Sequence, residues 1–133
     1  MFKKVDHIGI LAKDVQAGIR TFEKVFGLEM ERLEELKIKD YISKIAFFPV
    51  GDVHLEIIQS GQKEGMMADF LQRFGEGVHH IAFEVENLEE VVKKLKMAQV
   101  KFLVEMMKGA DNTKAAFIEP SQTLGVLVEL VEK

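Results

Sequence analysis

Four side chains of this sequence are of the right types, at matched spacings, to act together on a cation. His80 follows His7 by 73 residues, and Glu129 follows Glu56 by the same interval. Each lies in a short apolar stretch: Val5-Asp6-His7-Ile8-Gly9-Ile10, Val78-His79-His80-Ile81-Ala82-Phe83, Val53-His54-Leu55-Glu56-Ile57-Ile58 and Val126-Leu127-Val128-Glu129-Leu130-Val131. Alternate residues of a strand face opposite sides, so Glu129 opposes Val128 and Leu130, and Glu56 opposes Leu55 and Ile57. If those faces line a shared concavity, the two carboxylates repel and are costly to desolvate until something neutralises them. A divalent cation does so. Two neutral imidazoles and two carboxylates form a charge-balanced N₂O₂ set suited to Co²⁺, Ni²⁺, Zn²⁺, Mn²⁺ or Fe²⁺. The alternative use of the same residues is a pair of buried His–Glu hydrogen bonds left by duplication. Gly9 and Ala82, each two residues after its His, leave either room for a substrate or a site of close packing.

The elements that carry these residues repeat with the same interval. Val5 to Leu11 reads as a strand; Asp14 is then a good N-cap for Val15, Ile19, Phe22 and Phe26 at helical spacing. In the second half Ile81 to Val85 reads as a strand, and Asn87 with Glu90 forms an Asn variant of the capping box ahead of Leu88, Val91, Val92 and Leu95. Three strand-like stretches follow each helix: Leu28 to Leu36, Tyr41 to Val50 and Val53 to Gln59, then Val100 to Met106, Lys114 to Ile118 and Gly125 to Val131. Gly51-Asp52 reads as a hairpin turn. The expected architecture is α+β, with two βαβββ modules (about 1–60 and 77–133) in a single domain. Met67, Phe70, Leu71 and Phe74 mark a short connecting helix lying over the sheet. His79 should face away from His80, while His54 shares the Glu56 face.

Composition limits the partners. The 133 residues carry 18 basic and 22 acidic side chains and no Cys. A net charge of −4 without runs argues against nucleic-acid binding through counterion release. No apolar stretch approaches the roughly 20 residues that cross a bilayer, and the N-terminus lacks a signal-peptide core. The expectation is a cytoplasmic protein with no membrane partner. A chain of this length buries roughly two-thirds of its unfolded surface, so any metal found here would be there for chemistry.

Asp6-His7-Ile8-Gly9-Ile10, the run from Gly75-Glu76-Gly77-Val78-His79-His80 through Ile81-Ala82-Phe83-Glu84-Val85, and Gly125-Val126-Leu127-Val128-Glu129-Leu130 resemble the vicinal-oxygen-chelate (glyoxalase/bleomycin-resistance) superfamily, and within it the methylmalonyl-CoA epimerases. The resemblance covers nearly the whole chain. It implies paired modules curving around one divalent transition metal held by His7, Glu56, His80 and Glu129, the four positions already marked by the repeat. It also implies a homodimer, an acyl-CoA thioester as substrate, and an enediolate formed when a base removes the proton next to a carbonyl. Glu129 is the resemblance's candidate for that base. The second acid/base position departs from the family: where the epimerases usually carry Glu-Gln-Gly-Val, this chain has Asp40-Tyr41-Ile42-Ser43. On the side of the CoA group the usual Gly-Ala-His-Gly is Gly109-Ala110-Asp111-Asn112, and His-Pro-Lys is Glu119-Pro120-Ser121.

The expected activity is therefore that of an epimerase or isomerase of the methylmalonyl-CoA type, with Glu129 and Asp40 as proton-transfer groups. A glyoxalase I-type lactoylglutathione lyase is the second enzyme reading, because Glu56 and Glu129 could divide the proton work. A drug-sequestering protein of the same fold is a third, though that group commonly lacks the metal set.

Overall fold

The structure, a computed structural model, describes residues 1–38, 40–108 and 113–133. Its elements run β1 (Phe2–Leu11), α1 (Val15–Phe26), β2 (Arg32–Ile38), β3 (Tyr41–Val50), β4 (Val53–Gln59), α2 (Met66–Phe74), β5 (Gly77–Val85), α3 (Leu88–Met97), β6 (Phe102–Lys108), β7 (Lys114–Ile118) and β8 (Val128–Glu132), with a 3-10 turn at Pro120–Gln122. The order is βαβββ twice, with α2 between. No helix among the described residues is long and apolar enough to cross a membrane.

The chain forms two compact units, Ile8–His79 and Met1–His7 with His80–Lys133. In the first, the strand order is β2-β3-β4 followed by the C-terminal part of β1, and β2-β3 and β3-β4 are antiparallel. The β3–β4 loop is Gly51-Asp52, and Gly51 takes φ 60 at the first central position, where a II′ hairpin loop needs glycine. Alternation sorts the two faces. Ala46, Phe48 and Ile57 pack with Val15 and Ile19 of α1, while Ile45, Phe47 and Ile58 pack with Met67 and Phe70 of α2. Glu56 stands opposite Phe47 in the β3–β4 register, so it belongs to the α2 face.

In the other unit β5 pairs parallel with β8, and β8 and β6 flank β7 in antiparallel register. The face built of Val85, Ala116, Ile118, Val128 and Leu130 packs on Leu88, Val91 and Val92 of α3. Ala82 and Phe117 both stand opposite Glu129 and therefore face the other way. The apolar face stays with the helix and the polar one is left for chemistry.

Helices α1 and α3 start in the same manner. Asp14 accepts from the Gln16 amide at 3.1 Å, and Gln59 Oε1 takes the Val15 amide at 2.8 Å. Asn87 Oδ1 accepts from the Glu90 amide at 3.1 Å, and Glu132 Oε1 takes the Leu88 amide at 2.7 Å. The expected capping box is therefore only half present: the Glu90 side chain pairs with Lys94 at 3.3 Å, and the last strand supplies the second acceptor.

Three strands begin later than their apolar runs suggest. Gly27 ends α1 with φ 65, and Leu28 and Met30 then pack on the α1 core before the ladder begins at Arg32. Gln99 turns the chain with φ 66, and Val100 packs on the α3 core ahead of β6. Gly125 takes φ 84 and donates to the Pro120 carbonyl at 2.8 Å, so the stretch before Val128 is a turn. In each case apolar residues serve packing without joining a ladder.

Candidate metal centre

His7 near the middle of β1, His80 of β5 and Glu129 of β8 meet in one unit, buried at 7%, 3% and 8% exposure. His7 Nε2 lies 3.1 Å from His80 Nε2 and 3.2 Å from Glu129 Oε1, and His80 Nε2 lies 3.1 Å from the same oxygen. The rings cross edge to face at 5.2 Å, and Phe117 closes the far side of His80 at 6.0 Å.

The triangle has the dimensions of a ligand set. Donors bound to one ion at about 2.0–2.2 Å stand about 3.0–3.5 Å apart in octahedral or tetrahedral arrangements. All three edges fall in that range. The chemistry of the atoms points the same way. Asp6 Oδ2 lies 2.7 Å from His7 Nδ1, and a carboxylate only accepts, so Nδ1 carries a proton and Nε2 of the neutral ring presents a lone pair. That lone pair then faces the Glu129 oxygen at 3.2 Å, acceptor against acceptor. A positive charge reconciles them, either a second proton on His7 or a metal ion, and two imidazole nitrogens with one carboxylate oxygen suit a borderline transition metal.

The carboxylates are held ionised. Burial works to raise the Glu129 pKa, but contact with the His7 and His80 imidazoles outweighs it and brings the group down to about 2. Burial likewise opposes ionisation of Asp6; His7 and Lys133 overcome it, again to about 2. Lys133 Nζ lies 2.7 Å from Asp6 Oδ1. Glu129 engages both imidazoles through Oε1.

Glu56, Asp40, His54 and His79 lie in the unit formed by Ile8–His79. Glu56 is buried in β4. Asp40 is exposed in the turn between β2 and β3. His54 Nε2 donates to Glu31 Oε1 at 2.9 Å on a partly exposed rim. His79 is buried edge-on against Phe70 at 5.1 Å. The stretch Gly109-Ala110-Asp111-Asn112 lies outside the described residues, and Pro120 and Ser121 belong to the 3-10 turn. Ala82 is fully buried opposite Glu129. The residues that sequence reasoning missed are Asp6 and Lys133. The signal was there: an Asp within an apolar strand needs a partner.

The Glyoxalase/Bleomycin resistance protein/Dioxygenase superfamily model matches residues 4–130. The chain belongs to that superfamily. YqjC of Bacillus subtilis (strain 168), an uncharacterized protein, is 37% identical over 97% of this chain and 91% of its own. The mitochondrial methylmalonyl-CoA epimerase of Homo sapiens is 27% identical over 96% of this chain and 72% of its own. A methylmalonyl-CoA epimerase solved with methylmalonyl-CoA and NH4+ superposes with a TM-score of 0.88 over 100% of this chain and 96% of its own, at 24% identity. This chain shares the glyoxalase fold of that structure.

Proposed function

We propose that this chain is a divalent-metal-dependent epimerase that removes and returns the proton next to the carbonyl of an acyl-CoA thioester of the methylmalonyl type. The observation that carries the reading is the buried triangle of His7, His80 and Glu129. The likeness to methylmalonyl-CoA epimerases along nearly the whole chain supports the substrate class. His7, His80 and Glu129 would hold the ion, with Glu56 as the fourth ligand. A bound dication supplies positive charge beside the substrate oxygen and so acidifies the neighbouring C–H.

The protein's own groups do the rest. Glu129 keeps Oε1 on the imidazoles and has Oε2 to accept the α-proton. Burial around Phe117 and Ala82 keeps water away from that transfer. Inversion needs a donor on the opposite face of the carbon, and Asp40 is the acid at the family's position. Its exposure in the β2–β3 turn favours a second reading, a lactoylglutathione lyase in which Glu56 and Glu129 divide the proton work.

Solvent-deuterium exchange into methylmalonyl-CoA tests the assignment. The Co²⁺-loaded parent should exchange the α-proton and invert the centre. No exchange by the metal-loaded parent would overturn the epimerase reading, and conversion of the methylglyoxal–glutathione adduct instead would establish the second.

A further inference from the structure

We propose that Asp6 is a positioning residue of the metal centre: anchored by Lys133, its carboxylate accepts the His7 Nδ1 proton and holds the Nε2 lone pair on the side of His80 and Glu129. The inference rests on the metal-centre reading and adds to it a residue outside the ligand set. Three observations carry it. The Asp6 Oδ2–His7 Nδ1 separation is 2.7 Å, a short charge-assisted contact. Asp6 is 4% exposed in a strand whose other buried residues could be apolar at lower cost, so its charge is retained against a desolvation penalty. Its other oxygen meets Lys133 Nζ, also at 2.7 Å, which fixes the carboxylate from behind.

The consequence for His7 is directional. An imidazole can flip about its Cβ–Cγ bond and exchange its two nitrogens, and it can carry its single proton on either. A carboxylate at Nδ1 selects one orientation and one tautomer, and it raises the basicity of the opposite nitrogen. In the second repeat the residue preceding His80 is a histidine, His79, packed on Phe70.

The test is metal affinity measured on the metal-free chain by chelator competition with Zn²⁺, together with nitrogen-15 spectra of the imidazoles in the Zn²⁺-loaded parent. Asp6→Asn should weaken Zn²⁺ by about 10- to 100-fold while the metal-free melting temperature stays near that of the parent. Asp6→Glu should recover part of the loss, and Lys133→Met, at a half-exposed position, should weaken binding less than Asp6→Asn. His80→Ala should abolish binding. If the parent takes up no Zn²⁺, or His80→Ala binds it as the parent does, the metal-centre reading itself fails. If the parent binds, His80→Ala does not, and Asp6→Asn stays within about twofold of the parent, the role given to Asp6 is overturned. Should Asp6→Asn not fold, the spectra of the parent decide: a proton on His7 Nδ1 with zinc on Nε2 supports the proposal, and zinc on Nδ1 overturns it.

Discussion

The two repeats deliver their imidazoles from equivalent strands but support them differently. Behind His7 stand a buried carboxylate and the Lys133 ammonium; before His80 stands His79, an imidazole packed on an aromatic ring. The helix starts also differ. The first amide of α1 goes to a neutral amide oxygen, that of Gln59, and the first amide of α3 to a carboxylate, that of Glu132, while the cap itself is the carboxylate Asp14 in α1 and the amide Asn87 in α3. In both pairs the backbone plan and the spacing of 73 residues are common, and the charged groups are placed differently. Shared geometry fixes where a side chain arrives, while its immediate neighbours decide what it can do there.

The sharpest way to break the comparison is to remove a ligand from each repeat. His7→Ala and His80→Ala should each eliminate stoichiometric metal and with it turnover, as read by metal analysis and the deuterium-exchange assay. A protein that keeps both after either change does not use the triangle. Glu129→Gln comes next: an amide oxygen can still coordinate but cannot accept the proton, so much of the metal should remain while exchange falls by about 100-fold or more. Full exchange by this variant would move the base to Glu56.

Asp40→Asn has an effect whose size depends on the chemistry. If Asp40 donates the second proton, inversion of the thioester falls by about 100-fold or more; if Glu56 and Glu129 share the work, chemical denaturation and activity should both be near those of the parent. The smallest effects concern the helix starts. Glu132→Ala removes a charged acceptor and should cost about 1.5–3 kcal/mol, whereas Gln59→Ala removes a neutral one and should cost about 0.5–1.5 kcal/mol. Equal losses in urea titrations would mean that the charge on Glu132 contributes nothing at the α3 terminus.

Much of this arrangement was legible in the sequence because it depends on period and spacing. Alternation in Val53–Gln59 and Tyr41–Val50 fixes which side chains meet α1 and which meet α2, and both strands have the expected bounds. The 73-residue interval singled out His7, Glu56, His80 and Glu129, and the fold brings His7, His80 and Glu129 together in one cluster. What was not legible depends on contacts between distant residues. Nothing local in Lys133 indicates that it meets Asp6, and the reach of Glu132 to the Leu88 amide spans 44 residues. The starts of β2, β6 and β8 were misplaced because Leu28, Val100 and Leu127 are apolar for packing reasons, and composition does not separate a core residue from a ladder residue.

The division of β1 at His7 sets an order of events during synthesis. Ile8–His79 is one continuous stretch, complete as soon as it has emerged, and domains generally fold as units as they appear. Its companion needs the first seven residues and everything from His80 onward, and His7 must wait 122 residues for Glu129. Long loop closure is slow, so the triangle is the last part of the chain to mature. A ribosome-bound nascent chain that ends before Glu129 therefore holds two imidazoles without their carboxylate, and the three side chains can act on a common partner only once the triangle is whole.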